Sequence, residues 1–366
     1  MSDDLDKQRT RIRAIDDEIM SLMAERLKVA REIGRVKLAR GLPIKDFKVE
    51  KDVIERSMLK ARQAGVYEDM ASEAARLLIK YAVLAQDEFH AKSRATTDRD
   101  RRNILIVGGS GHMGMWLSEF FSSFGHRVTH FDPVKTKGDA RFDRVESLDG
   151  ATTAFDAICL ATPISKTAAL IDNLAKTPGR ALVFDVCSLK TPIIDSFQRA
   201  EKAGLRITSI HPMFGPDVEL LAGRNIIFCQ SGHDEALQEA RSLFEETTAH
   251  LLDIPLAEHD RLMSYVLGLS HLMNLVFARV LSTSKLSFAD LQKVASTTFT
   301  AQLAVTMPVS EENQDLYYEI QSENGFTAEL IASINRELGS YETAINEDDV
   351  ETFKSFMATS RDWFAD

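Results

Sequence analysis

Cysteine is scarce, three in 366 residues. Three thiols cannot build a disulfide framework. Cys159, Cys187 and Cys229 each sit in an apolar, strand-like stretch, so they are expected to be buried thiols of a reducing compartment. No apolar run approaches the roughly 20 residues that span a bilayer. The N-terminal stretch MSDDLDKQRTR is charged at once and lacks the apolar core of a secretory signal. A cytoplasmic chain without a membrane partner is expected. Positive charge is also short, with 44 Lys and Arg against 55 Asp and Glu and a net charge of −11. That argues against a nucleic-acid binder, which needs an electropositive face. It leaves an acidic small molecule open, because such a substrate needs only a few local cations. Internal repeats and low-complexity tracts are absent from the sequence.

What is present is globular: 44% hydrophobic and 27% charged residues. The length predicts two or three domains. Residues 1–92 carry a helical pattern. Leu5, Ile12, Ile15, Ile19, Leu22, Ala30 and Ile33 recur at spacings of three and four, one stripe of a long helix. Gly41-Leu42-Pro43 breaks it. A second helix is expected from about Phe47 to Gln63, ended by Gly65, and a third from about Glu68 to His90. The polar stretch around 93–102 is expected to be a linker. Residues 103–254 alternate short apolar runs with helices. ILIVG, RVTHFD, AICLAT, ALVFDV, RITSI and NIIFC suggest a parallel sheet covered on both faces. Residues 255–366 return to helix. EHDRLMSYVLGLSHLMNLVFARVL is too apolar for a lone surface helix and calls for a partner helix, plausible from a second subunit.

Gly109-Ser110-Gly111-His112-Met113-Gly114 follows the strand ILIV and opens the helix MWLSEFFSSF. In that context the glycines have distinct tasks. Gly109 permits the tight turn, Gly111 lets the backbone approach a pyrophosphate, and Gly114 lets helix and strand pack closely. The helix N-terminus, with His112 and Met113, offers N–H groups to phosphate. The next strand ends in Asp132. A carboxylate there accepts from ribose hydroxyls and repels a 2′-phosphate, which favours NAD over NADP. A structural turn with a solvated Asp is the alternative. Ala161-Thr162-Pro163 ends a further strand; Thr162 and Pro163 either meet the cofactor or merely start a helix.

Asp185-Val186-Cys187-Ser188-Leu189-Lys190 leads from a strand into a helix, so Ser188 and Lys190 are expected at the crevice. ITSI runs into His211-Pro212-Met213-Phe214-Gly215-Pro216-Asp217. A neutral imidazole at a strand end can take an alcohol proton while the carbon gives hydride to NAD⁺; a structural His before Pro is the alternative. Glu258-His259-Asp260 and His271 stand on the first C-terminal helix. His259 and His271 lie about three turns apart and can share a face. Either could reach a substrate or sit at an interface.

GGSGHMG, DVCSLK, HPMFGPD, EHD and LYYEIQ together resemble prephenate dehydrogenases, HPMFGPD being the most specific. The first ninety residues resemble the all-helical chorismate mutases, and the order resembles that of the bifunctional chorismate mutase–prephenate dehydrogenases over nearly the whole chain. The resemblance implies an all-α mutase domain, a Rossmann-type NAD-binding domain and an all-α dimerisation domain. It implies a homodimer acting on chorismate and prephenate with NAD, and no metal. Arg9, Arg26 and Lys37 lie in line with the apolar stripe, Arg26 four beyond Leu22 and four before Ala30. Cations on a buried face are costly unless paired, and no acidic residue is in step with them, so substrate carboxylates are the natural partners. The resemblance implies that these three hold chorismate, Arg9 coming from the other subunit, with Glu50 and Gln86 at its hydroxyl and ether oxygen and Asp46 nearby. A dimerisation arm with solvated arginines is the alternative. For the dehydrogenase it implies that His211 accepts the ring-hydroxyl proton and Ser188 helps hold it. Lys190, Asp217, His259 and His271 then lie around the substrate.

The chain departs from that pattern. The arginine expected for prephenate's ring carboxylate appears as Pro308, and ASTTFTAQLAVTMP contains no arginine. Arg224, Arg261 and Arg279 are candidate replacements. In the mutase part, a second-helix arginine appears as Val49 and a third-helix serine as Ala82. Plant-type arogenate dehydrogenases resemble the chain near LYY. Arogenate or a modified prephenate therefore stays open as substrate, as does a degenerate paralogue whose helical module only regulates, or an unrelated NAD dehydrogenase.

Overall fold

The computed structural model describes residues 2–40, 47–94, 101–133, 141–218, 221, 223–231, 234–245, 247 and 249–365. The chain divides into two compact units. One comprises Met1–Thr162, Asp172–Val186 and Arg199–Ile254; the other comprises Pro163–Ile171, Cys187–Gln198 and Pro255–Asp366.

The first unit opens with α1 (Ser2–Ala39), α2 (Phe47–Ala64) and α3 (Glu68–Arg94). Gly65 ends α2 at φ +70°, in the left-handed region that favours glycine. The Val66 N–H returns to the Ala61 carbonyl at 2.9 Å, which closes a Schellman cap. α3 packs on both α1 and α2. Arg26 meets Leu78 and Gly34 meets Gln86 at the same sequence offset, so α1 and α3 run parallel. A Cβ on Gly34 would lie 3.1 Å from the Gln86 Cα, so the two helices approach closely there. Most of the α1 stripe is left uncovered within one chain: Leu5, Ile12, Ile15, Ile19, Leu22 and Ile33 are all exposed.

The rest of that unit is built on an eight-stranded sheet: β1 (Asn103–Val107), β2 (Arg127–Phe131), β3 (Asp143–Arg144), β4 (Ala157–Leu160), β5 (Leu182–Asp185), β6 (Ile207–Pro212), β7 (Asn225–Gln230) and β8 (His250–Pro255). Their spatial order is β3-β2-β1-β4-β5-β6-β7-β8. The chain winds one way from β1 to β3 and the other way from β4 onward. The direction reverses between β1 and β4, where doubly wound sheets hold ligands beyond their strand ends. The central strands are buried on both faces, and α4 (His112–Ser123) adds Leu117 and Phe121 to the core; the later connections in chain order carry α5 (Ala151–Ala154), α6 (Ile164–Leu174), α7 (Ile194–Lys202) and α8 (Asp234–Ser242).

The expected all-parallel sheet needs correction. β6 pairs with β7 antiparallel, with His211 opposite Ile227. A parallel neighbour requires a crossover of a dozen or more residues, usually through a helix, and the described residues between β6 and β7 contain none. Two strands escaped the sequence pattern. β3 is two residues long, and β8 is half-exposed without a continuous apolar run.

In the second unit, α9 (Leu256–Met263), a π-helical segment (Ser264–Leu269) and α10 (Ser270–Thr283) form one helical run. It is followed by α11 (Phe288–Lys293), α12 (Thr297–Glu311), α13 (Gln314–Ser322), α14 (Thr327–Asn346) and α15 (Val350–Ala365). By length and composition, Leu256–Thr283 is long and apolar enough to cross a membrane, contrary to the reading of the sequence. It keeps the polar contacts of a helical unit: the Gln321 amide donates to the Gly268 carbonyl at 3.0 Å and the Asn324 amide to the Asp260 carbonyl at 2.9 Å. Tyr265, Val266, Met273, Val276 and Val280 remain exposed within one chain.

A Cβ at Gly114 would stand 2.1 Å from the Gly108 carbonyl oxygen, whereas one at Gly111 meets only that oxygen, at 3.3 Å. Gly114→Ala is therefore expected to destabilise the chain by about 1–3 kcal/mol. Gly111→Ala should cost less, since a single contact has to relax by only a few tenths of an ångström. Urea unfolding of the two variants checks this, and equal midpoints would contradict it.

Candidate active sites

In the helical module, the Arg26 guanidinium donates to the Leu78 carbonyl at 2.6 Å, and its pKa is lowered by burial. Lys37 is half-buried one turn beyond Gly34. Gln86 is buried on the facing side of α3. Its amide donates to the Ala82 carbonyl at 3.2 Å, while its Oε1 has no partner among the described residues. A buried, unsatisfied acceptor is costly and calls for a donor, whereas an ether oxygen would take the second N–H of the same amide. Arg9 differs. It is exposed and 3.4 Å from the Asp6 carboxylate, one turn earlier. The expectation that no acidic residue is in step with the three cations is thus corrected, since i,i+3 neighbours share a helix face. Asp46 lies outside the described residues, as does the side chain of Glu50.

In the sheet unit, the left-handed residue at the end of β1 is Gly108, at φ +87°. The turn role expected of Gly109 belongs to Gly108. Its N–H donates to the Phe131 carbonyl at 2.8 Å, and a Cβ on it would stand 2.3 Å from the Ala161 carbonyl oxygen and 3.1 Å from Thr162 Cγ2. Thr162 thus lies directly beside the glycine loop. Gly109 is needed for a different reason: a Cβ there would strike the His130 ring at 2.4 Å. That ring is fixed from below. The Ser118 hydroxyl lies 2.6 Å from the Gly114 carbonyl oxygen and 2.7 Å from His130 Nε2, within hydrogen-bonding reach of both. Gly111, by contrast, faces open space apart from one carbonyl, a cradle that a pyrophosphate fits at the start of α4. Asp132 accepts the Ser110 N–H at 3.1 Å.

Met113 packs on the core, and exposed His112 lines a cleft with Met115, Trp116, Glu119, Pro216 and Asp217. Trp116 explains the HPMFGPD loop. Its indole donates to the Val218 carbonyl at 2.7 Å and its ring meets Phe214 edge-on at 5.1 Å, which pins the loop to α4. His211 is buried in β6, just before Pro212.

The second unit holds the remaining candidates. Pro163 is exposed at the start of α6 (Ile164–Leu174), whose first N–H donates to the Glu319 carboxylate at 3.2 Å. Ser188 is half-buried. Lys190 is 1% exposed, and its ammonium donates to the Cys187 carbonyl at 2.7 Å. His259 is 0% exposed, with Nδ1 2.6 Å from Asp260. Asp260 also accepts the Lys190 N–H at 2.8 Å and the Thr191 N–H at 2.6 Å. Burial pushes its pKa up, but the bonds from His259, Thr191 and Lys190 outweigh this and hold it below the usual carboxylate value. Lys190 and His259, expected around the substrate, are therefore turned inward. Asp260 joins them to the 187–191 loop, a contact between residues 70 apart that no local sequence pattern marks. His271 stacks on Tyr317 with centroids 4.1 Å apart, and burial lowers its pKa, so the ring is neutral at pH 7.

Pro308 is exposed within α12. On the buried side of the same helix, Thr306 donates to Asn274 Oδ1 at 2.7 Å and Gln302 to the same oxygen at 2.9 Å, a neutral trio. Arg224, Arg261 and Arg279 are all exposed.

A doubly wound nucleotide-binding unit, preceded by a helical module with aligned cations and followed by helices with an uncovered apolar face, defines a dehydrogenase fused to a second activity. Residues 8–87 match the family of chorismate mutase type II, residues 126–253 the nucleotide-binding domain of prephenate dehydrogenase, and residues 255–359 its dimerization domain. The T-protein of Enterobacter agglomerans is 24% identical over 98% of this chain and 92% of its own length. The 4-amino-4-deoxyprephenate dehydrogenase of Streptomyces pristinaespiralis is 25% identical over 70% of this chain and 89% of its own. Among solved structures, the prephenate dehydrogenase of A. aeolicus, in complex with hydroxyphenyl propionate and NAD⁺, shares the fold. Its TM-score is 0.59 at 17% identity, covering 74% of this chain and 99% of that one. The chain belongs to the bifunctional chorismate mutase–prephenate dehydrogenase family.

Asp260→Ala would strand the Lys190 and Thr191 N–H groups and the His259 ring. The expected loss is about 3 kcal/mol or more, read from urea midpoints. Because Asp260 is held below its ordinary pKa, its contribution is full at neutral pH. It fades only as pH falls below about 4. A gap between wild type and variant that closes near pH 6 would contradict this.

Proposed function

We propose that the three N-terminal helices rearrange chorismate to prephenate and that the rest of the chain oxidises prephenate with NAD⁺ to 4-hydroxyphenylpyruvate and carbon dioxide, two successive steps of tyrosine biosynthesis. The observation that carries this is the order of the three matched domains along one chain.

The rearrangement is pericyclic. It needs no nucleophile, only a held conformer and cations at the oxygen that gains charge. Arg26 and Lys37 supply cations and Gln86 a donor for the ether oxygen, with Glu50 and Asp46 at the substrate's polar edge. Arg9 stands seventeen residues before Arg26 on one helix, about 25 Å away, so it can serve this site only from a second copy. The exposed α1 stripe suits that copy, and the exposed face of α10 and its π-helical neighbour suits a second contact. A cytoplasmic homodimer follows, its three cysteines all buried free thiols.

In the dehydrogenase, NAD⁺ supplies the hydride acceptor. The glycine loop binds its pyrophosphate, Asp132 its adenosine ribose, and Thr162 contacts it. His211 accepts the ring-hydroxyl proton and Ser188 helps hold that hydroxyl. His271 hydrogen-bonds the substrate as a neutral ring. Lys190 and His259 act by positioning the loop that carries Ser188. A second reading is arogenate or an amino analogue of prephenate; Pro308 stands where the family's arginine is expected, but all three molecules carry the ring carboxylate, so that position does not separate them.

Purified full-length protein with NAD⁺, given prephenate or L-arogenate, tests this by NADH absorbance. Turnover with prephenate is expected. Turnover with arogenate alone would move the specificity to the second reading, and silence with both would overturn the dehydrogenase assignment. His211→Asn is expected to lower NADH formation about 100-fold or more with chorismate consumption unchanged. Arg26→Ala should lower chorismate consumption by about 100-fold or more with NADH formation from prephenate unchanged. Parallel loss of both activities in either variant would remove the role assigned.

A further inference from the structure

The adenosine end of the dinucleotide loop carries a cation that the sequence reading did not assign. Arg144 lies on β3, paired with His130 of β2, two residues before Asp132. Its guanidinium reaches past the end of β2. Nη1 lies 3.4 Å from the Ser110 hydroxyl and Nη2 3.3 Å from the Asp132 carbonyl oxygen. Both contacts are long and both acceptors are neutral. Among the described residues Arg144 pairs with no carboxylate. The Asp132 carboxylate meanwhile accepts the Ser110 N–H, on the same residue whose hydroxyl Arg144 touches.

The ribose end of this site is therefore a carboxylate with a guanidinium beside it, not a carboxylate alone. A lone carboxylate accepts from a ribose 2′-hydroxyl and repels a 2′-phosphate. A guanidinium fork matches phosphate oxygens and forms stronger, charge-assisted bonds than those it makes to neutral oxygens. Arg144 can exchange two long bonds for such contacts without leaving a buried acceptor behind, since the site is only partly buried.

We infer that Arg144 is a specificity-determining residue that lets this site accept a 2′-phosphorylated dinucleotide, NADP⁺, besides NAD⁺. The inference rests on the dinucleotide reading of the glycine loop and revises the expectation that Asp132 alone excludes the 2′-phosphate.

Direct binding to the full-length protein tests it, by calorimetric titration with NAD⁺, NADP⁺, 5′-AMP and adenosine 2′,5′-bisphosphate. Wild type is expected to bind NADP⁺ within about tenfold of NAD⁺, and Arg144→Gln to weaken the two 2′-phosphorylated ligands by about tenfold or more. The same variant should change NAD⁺ and 5′-AMP by less than about threefold, and Arg144→Lys, which keeps the charge but loses the fork, should recover part of the loss. Equal weakening of all four ligands would make Arg144 a prop for the loop and overturn the inference. So would wild type that binds NAD⁺ but not NADP⁺. Wild type that binds neither dinucleotide would overturn the dinucleotide reading itself and this inference with it.

Discussion

Where β1 ends, three backbone segments converge on a space too small for any side chain. The Gly108 carbonyl oxygen occupies the position a Gly114 Cβ would take, and the Ala161 carbonyl occupies that of a Gly108 Cβ. This close approach seats α4 on the sheet and brings the end of β4 alongside the loop. At Gly111, the residue before α4, only the Gly108 carbonyl oxygen lies close to where a side chain would start. The neighbouring features build on this close approach. His130 and Ser118 form the floor beneath Gly109, Asp132 closes the loop through Ser110, and Trp116 on α4 holds the HPMFGPD loop. A dinucleotide site here is a consequence of missing Cβ atoms as much as of any charged residue.

The helical unit depends on a different economy. Asp260 is a buried carboxylate, a costly object unless every oxygen is answered. Three backbone and side-chain partners from Lys190, Thr191 and His259 answer it, and its own backbone carbonyl takes Asn324. The cluster draws the 187–191 loop, α9 and the end of α13 together. It also consumes groups that, seen only as charges in a sequence, look ready for a substrate. Lys190 and His259 are the instructive pair: both are ionisable and both are turned inward. Both are buried and hydrogen-bonded within the fold.

Much of the architecture was legible in residue order. Gly65 and Gly41-Leu42-Pro43 announced helix ends, and the periodic stripe from Leu5 to Ile33 announced α1. The six apolar runs were strands, and the glycine spacing after β1 marked the nucleotide loop. What escaped had little local signal. β3 is two residues long, and β8 lacks a continuous apolar run. The antiparallel turn of β7 follows from a connection without a helix, which spacing alone did not reveal. Gly108 took the turn assigned to its neighbour, because two adjacent glycines cannot be told apart until their φ angles are known. Arg144 was invisible for a related reason: its place beside Asp132 arises from strand pairing across 12 residues.

Sequence alone determined the kinds of element, their order, and the chemistry available to them: glycines where backbone must approach phosphate, cations in line on one helix, and His211 beside Pro212. These are properties of spacing and residue type, set by the 3.6- and 2-residue periods of helix and strand. Only the tertiary structure decided which of those groups stay accessible and which are buried against partners of the fold. That choice turns on burial and on partners distant in the chain, as Arg26 with Leu78, Asp260 with Lys190 and Arg144 with Ser110 show. Such partners meet only once the strands are ordered and the helices packed.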